Sequence, residues 1–418
     1  MSGTVFALDA GRVRQLVSAV RPTAESPGDA ALGDVDPSAD RFARAAWSCI
    51  AEPGDGEAGA FISDAGPTGA LEAVIDARAS GGALGRAGSL SRGFERWIPR
   101  VDSSDVIRAL EAAARVGARL IVPGDVQWPS GLAALGDHAP AALWCRGELD
   151  AMGTLDASIA IVGSRAATGY GEHVAMEASA QLAARGLTIV SGAAYGIDGA
   201  AHRAALAGGG TTVAFLAGGP DRFYPQGHHA LLERLCQTGA VVSELPCGAA
   251  PTRWRFLQRN RLIAASSRAV VVVEAGIRSG SLNTAGHASA LGKPVGAVPG
   301  PVTSPASAGC HRLLRDYGAQ CVTTAGEMAE LAGFAIAGGD EPCGVERDTA
   351  EETRLLDALS TRAPRTLEDL VKRSGLSRAE CVGALGALSA AGRAAERERG
   401  WVRCSTRRVR AAGVGGDP

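Results

Sequence analysis

Seven short apolar segments, residues 159–162, 187–190, 212–216, 240–244, 269–274, 295–298 and, more weakly, 320–323, punctuate the middle of the chain. Between most of them lie helical segments of about ten to twenty residues. A strand that is followed by another running the same way needs a crossover of a dozen or more residues, which is what these stretches supply. The alternation therefore predicts an α/β domain built on an extended, Rossmann-like, doubly wound parallel sheet. Residues 159–162 and 269–273 are continuously apolar, so they should be central strands covered on both faces.

The flanking sequence divides around this pattern. Residues 1–36 are polar, contain proline and glycine and show no sustained periodicity, and are expected to form a mobile extension. In residues 37–100 the apolar positions Phe42, Ala46, Trp47 and Ile50, then Leu71, Val74 and Ile75, recur at helical spacing, which predicts a small helical domain. Residues 101–336 hold the α/β domain, with two lead-in strands near 118–122 and 141–146. A glycine-, aspartate- and proline-bearing linker, 337–348, precedes residues 349–405, which read as three helices and a short excursion around Trp401, a winged helix. Residues 406–418 read as a frayed tail.

With 418 residues and 46% hydrophobic content the chain can build several cores. The formal charge of −2 offers no bulk positive field, so any polyanion site must be a local patch. Only Lys293 and Lys372 among the basic residues are lysine, so a single arginine says little about phosphate. The nine cysteines are scattered without a C-x-x-C pair, which argues against a disulfide framework or a zinc site. No stretch approaches the length of a membrane span, and Asp9, Glu25 and Asp29 interrupt any signal-like segment; the expectation is a cytoplasmic protein.

Three strand ends share one vocabulary. The first carries Gly163, Ser164 and Arg165, the second Ser191 and Gly192 ahead of Asp198, and the fifth Arg278, Ser279, Gly280 and Ser281. Free backbone N–H groups and helix starts gather at the carboxyl edge of a parallel sheet, so glycine, hydroxyl and guanidinium there suit an anion. Arg253, Arg255, Arg259, Arg261 and Arg268 form a run without an acidic residue, interleaved with Trp254 and Phe256, as grooves for single-stranded nucleic acid are. One or both aromatics are expected to be largely buried and most of the arginines to track phosphates.

Other chemistry is disfavoured. Gly292-Lys293 is followed by Pro294, so there is no P-loop, and the second strand ends in Ser191 rather than an acid for a ribose, so no nucleotide cofactor is expected. His228-His229 and Cys310-His311 lack converging partners for a metal, and no nucleophile with an attendant base is readable. The C-terminal helix beginning at Arg378 runs into alanine, leucine and glycine, poor material for base readout.

These blocks together resemble the DNA-processing protein A family (DprA, also called Smf). The resemblance rests on Ile161 to Arg165 within IVGSR, on SGAAYGID from Ser191, on Tyr224-Pro225, on Phe256 with Arg259-Asn260-Arg261, on RSGSLNTA from Arg278, on Val298-Pro299-Gly300 and on Gly309-Cys310-His311. It implies an extended Rossmann domain that binds single-stranded DNA without sequence preference and helps RecA recombinase load onto DNA covered by single-strand-binding protein. It also implies a homodimer, for which residues 291–314 are the candidate face. By motif, Gly163, Ser164 and Arg165 would grip phosphate, Arg259, Asn260 and Arg261 would extend the groove, and Arg278 to Ser281 would lie on the same edge. Leu257-Gln258 departs from the Phe-Pro of many relatives, and the arginine-poor tail helix departs from a duplex-binding one. The competing reading is a nucleoside-monophosphate hydrolase with Glu274 as its acid; a transcription factor acting through the tail is a third.

Overall fold

The computed structural model describes residues 6, 8–22, 37–80, 90–334 and 349–404, and the chain divides into two compact units, residues 1–337 and 338–418. The expected linker, 337–348, and frayed tail, 406–418, lie outside the described residues.

The first unit opens with α1 (Ala10–Ser18), α2 (Pro37–Ile50), α3 (Gly56–Ala79), α4 (Leu90–Trp97) and α5 (Ser103–Val116). Part of the stretch expected to be a mobile extension is therefore an ordered helix. Asp9 caps α1 by accepting the Arg12 N–H at 2.9 Å, and Val13, Leu16, Val17 and Val20 bury one stripe against α2 and α5. Their spacing is a helical face, and each such side chain stabilises the fold by about 1.5–3 kcal/mol, which overrides the polar surroundings. The helical region is not a separate core either: Phe42, Trp47 and Leu71 share one cluster with Leu110, Trp144 and Cys247 from beyond residue 101.

The sheet holds β1 (Arg119–Ile121), β2 (Leu143–Gly147), β3 (Ser158–Val162), β4 (Thr188–Ser191), β5 (Thr212–Phe215), β6 (Ala240–Ser243), β7 (Ala269–Val272), β8 (Val295–Ala297) and β9 (Gln320–Cys321) in the order β1-β2-β6-β5-β4-β3-β7-β8-β9. Strands β3 to β9 pair in parallel, while β2 pairs antiparallel with β6 and β1 with β2. The expected doubly wound sheet and its lead-in strands are both present. The crossovers include α6 (Gly169–Ala184), α7 (Ile197–Ala207), α8 (His229–Thr238), α9 (Arg253–Ser266), α10 (Ser281–Ala290), α11 (Ala308–Asp316) and α12 (Ala325–Leu331). From β3 the chain winds outward through β4, β5 and β6 and then returns to β7 on the other side of β3. That reversal opens a crevice outside the carboxyl ends of β3 and β7, the usual ligand position in such sheets.

The second unit has α13 (Ala350–Ala358), α14 (Leu367–Ser374) and α15 (Arg378–Ala390), followed by the antiparallel hairpin β10 (Ala394–Arg397) and β11 (Gly400–Arg403). Its own core gathers Leu355, Leu370, Leu385 and Leu388, and Arg365 exchanges both backbone hydrogen bonds with Trp401. No helix among the described residues is long and apolar enough to cross a membrane.

Candidate nucleic-acid interface

At the switch point lies an open cleft of about 880 Å³, floored by the ends of β3 and β7 and walled by α9. Its first wall is the β3–α6 loop. The Ser164 N–H donates to the Glu274 carbonyl at 2.7 Å, and the Ile197 N–H donates to the Ser164 carbonyl at 3.2 Å. The loop is thus pinned to the ends of two neighbouring strands. A Cβ at Gly163 would lie 2.9 Å from the Glu274 carbonyl and closer still to Ile197, so only glycine lets the chain pass there. Arg165 projects from this pinned loop into solvent.

Arg165, Arg253 and Arg278 line the cleft from three different elements, all exposed, and none forms an ion pair among the described residues. Their charges are available to an anion. The Arg165 guanidinium lies 4.9 Å from the centroid of the Phe256 ring, and Phe256 in turn lies 5.6 Å from Tyr224, which is 47% exposed. A cation and two rings form a continuous wall, which holds Arg165 over the cleft at modest energetic gain, about 0.5–1 kcal/mol for an exposed pair. Asn260 completes the opposite side: its amide donates to Asn283 Oδ1 at 3.1 Å and to the Gly280 carbonyl at 3.4 Å, tying α9 to the start of α10. The Ser279 and Ser281 hydroxyls hydrogen-bond each other at 2.7 Å on the rim.

The arginine run does not form one solvent-facing stripe, contrary to expectation. Arg259 is buried beneath the cleft, donating to the Gly192 carbonyl at 2.7 Å and to the Phe215 carbonyl, so it closes the ends of β4 and β5. Burial lowers its pKa to about 10, with Asp198 opposing, and it stays cationic at neutral pH. Gly192 leaves room for that guanidinium, which a Cβ would strike. Ser191 is buried as well, its hydroxyl donating to the Ile161 carbonyl at 2.7 Å, so neither residue faces a ligand. Arg261 is buried against Glu244 in a paired contact at 2.7 and 2.8 Å. Arg255 pairs with Glu52 at 2.8 and 3.0 Å and lies outside this cleft. Of the aromatics, Phe256 is half-buried but Trp254 is 56% exposed.

Two acids lie near the cleft. Asp198 is buried at the start of α7 and accepts the Gly192 N–H at 3.1 Å rather than capping its own helix. Burial raises its pKa, while Arg259 and the amides of Ala194, Gly192 and Gly163 pull it down. Glu274 accepts the Thr168 N–H at 2.9 Å and the Thr168 hydroxyl at 2.6 Å. Both carboxylate oxygens are thereby used to anchor the start of α6, and the side chain does not line the cleft. The hydrolase reading required it there. His228 turns its Nδ1 to the Ala193 carbonyl at 3.0 Å, and Cys310 is packed against β7, so neither joins a neighbour as a ligand pair.

Sequence reasoning missed Tyr224 as a cleft wall and the acids Glu52 and Glu244 as partners of the arginine run. Tyr224-Pro225 enters the sequence reading only as part of the family resemblance, and no local signal links Glu52 to a residue 203 positions later.

A family model described as DNA recombination-mediator protein A matches residues 119–333, the sheet and its crossovers. A DprA protein of Mycobacterium tuberculosis H37Rv is 44% identical over 395 residues, covering 91% of this chain and 97% of that one. The DNA processing protein DprA of Bacillus subtilis is 33% identical over 245 residues, 59% of this chain and 80% of that one. Among solved structures, that of DNA processing protein A from Streptococcus pneumoniae superposes with a TM-score of 0.55 at 28% identity, covering 72% of this chain and all of that one. With its strand order, its glycine-pinned cleft and relatives of nearly equal extent, the chain belongs to the DNA recombination-mediator protein A family, whose business is DNA processing in recombination.

Proposed function

We propose that the cleft binds single-stranded DNA without sequence preference and that the chain, acting without catalysis, hands the strand to RecA recombinase. The observation that carries this reading is the set of three unpaired exposed arginines, Arg165, Arg253 and Arg278, around the Phe256–Tyr224 wall. Phosphates meet separated cations, and bases meet ring faces that accept any base. Gly163, Ser164, Asn260, Ser279, Gly280 and Ser281 line the backbone path, and Ser191, Gly192, Arg259 and Arg261 hold its floor and helix in place. A homodimer through residues 291–314, contact with single-strand-binding protein and a winged-helix role for the second unit belong to the same proposal.

Titrating a labelled oligothymidylate at increasing salt tests it. The wild type should lose affinity steeply, and Arg165→Ala should flatten the slope of log K against log salt by about 0.7, the share of one phosphate contact on a single strand. The same loss is expected for mixed and homopolymeric sequences. A salt-insensitive affinity, or an Arg165→Ala protein that binds as the wild type does, would falsify the reading.

A further inference from the structure

A second cleft, of about 570 Å³, lies in the same unit where α5 faces the 221–222 and 245–249 loops. Arg100, Arg108, Arg115, Arg222 and Arg255 line it, against three acids, Asp105, Glu111 and Asp221. Glu111 pairs with Arg12 at 2.7 Å, Asp105 pairs with Arg108 at the surface, Asp221 accepts the Gly248 N–H at 2.8 Å and lies 3.8 Å from Arg222, and Glu52 takes Arg100 at 2.9 Å and Arg255 at 2.8 Å, which leaves Arg115 as the cation in excess. Arg115 has no ion pair among the described residues, and it stands two helical turns from Arg108 on α5, so both occupy one face. The guanidinium of Arg108 is held at the surface by Asp105 and the Ser104 hydroxyl, and that of Arg222 lies 3.8 Å from Asp221; both guanidinium groups are exposed, and such pairs contribute little.

The first turn of α9 borders both clefts. Arg253 faces the first and Arg255 the second, and Trp254, the residue between them, stands exposed on the same turn. An exposed indole between two cation-lined clefts is what a strand crossing from one to the other would stack upon.

We propose that the helical region carries a second site for single-stranded DNA, in which Arg108, Arg115 and Arg222 take the phosphates of nucleotides leaving the sheet-edge cleft over Trp254. The inference rests on the binding reading above and extends its footprint. A strand that occupies both clefts must be longer than one that fills the first, so length separates the two sites.

The test compares an oligothymidylate of about six nucleotides with one of about twenty-five, spanning the range from one small site to more than one. The pair Arg108→Gln and Arg115→Gln, both exposed on a surface helix, should weaken the long strand about five- to tenfold and flatten its salt slope by about 1.4, two contacts' worth, while leaving the short strand unchanged. Trp254→Ala should likewise weaken the long strand more than the short. The charge-preserving pair Arg108→Lys and Arg115→Lys should restore most of the long-strand affinity, which separates lost charge from disturbed folding. Unchanged binding of the long strand, equal losses at both lengths, or no rescue by lysine would overturn the proposal. Arg165→Ala serves as the independent arm: weakening at both lengths upholds the first cleft even if the second fails, and no effect at either length sinks both.

Discussion

At the level of single residues, the polar groups beneath the cleft are fixed by burial more than by charge pairing. His202 on α7 is the sharpest case. Its Nδ1 lies 2.7 Å from the Thr212 hydroxyl, which itself donates to the Ile189 carbonyl at 2.7 Å, so Nδ1 must carry a hydrogen. Nε2 is buried without a hydrogen-bond partner. A proton there would place an unsolvated charge beside Arg259 and Arg203, and burial accordingly pushes the pKa down from 6.5 to about 3. The unfolded chain takes up that proton near its ordinary value. Between the two values the unfolded state holds more protons, so this contribution to stability is whole above pH 6.5 and is lost as the pH falls toward 3. The slope is up to about 1.4 kcal/mol per pH unit. Urea unfolding of His202→Asn should show a shallower decline than the wild type between about pH 4.5 and 6.5, and equal slopes would refute the assignment.

Among the elements, α9 joins the cleft to the helical region, and it shows why the arginine run was misread from sequence. Read linearly, Arg253, Arg255, Arg259 and Arg261 form one basic stretch; wound into a helix, Arg253 lies about 200° round from Arg255, and the four meet different surroundings. One faces solvent in the cleft, one meets Glu52, one closes the strand ends and one meets Glu244. Helical periodicity alone would have warned that the run cannot share a face, but the partner acids come from other elements. The strands, by contrast, were legible because each is a compact apolar segment with glycine beyond it, and the stripe of α1 was present in Val13, Leu16, Val17 and Val20 though hidden among polar neighbours. Glu244→Gln tests the buried pairing. It leaves the Arg261 guanidinium with a weaker partner in a buried site, where losing one member of an ion pair costs about 3–5 kcal/mol at the upper end. The urea midpoint should drop clearly, whereas Arg165→Ala, at an exposed position, should leave it within about 0.5 kcal/mol of the wild type.

For the whole molecule, the cleft and its supports all lie in residues 1–337, and the second unit closes a core of its own. The sequence shows a change from strand-helix alternation, across a linker, to three helices and an excursion around Trp401, but not the fusion of the helical region with the sheet, because Trp144 and Cys247 reach its core from distant segments. On α15 Arg378, in the first turn, is the one exposed guanidinium, and the outward positions Ala379, Val382, Gly383, Gly386 and Ala387 beyond it present neither amide nor guanidinium. Duplex recognition normally draws on such groups at several places along a helix. A fragment of residues 1–337 should therefore unfold cooperatively and bind a long single-stranded oligonucleotide within about threefold of the full chain, a difference under ~1 kcal/mol. The separate fragment 338–418 should bind duplex no more tightly than about 10⁻⁶ M, the scale of nonspecific contact. Gel-shift titrations of both fragments decide the matter: a large loss of single-strand affinity on removing the second unit would mean that the strand's path does not end in the first.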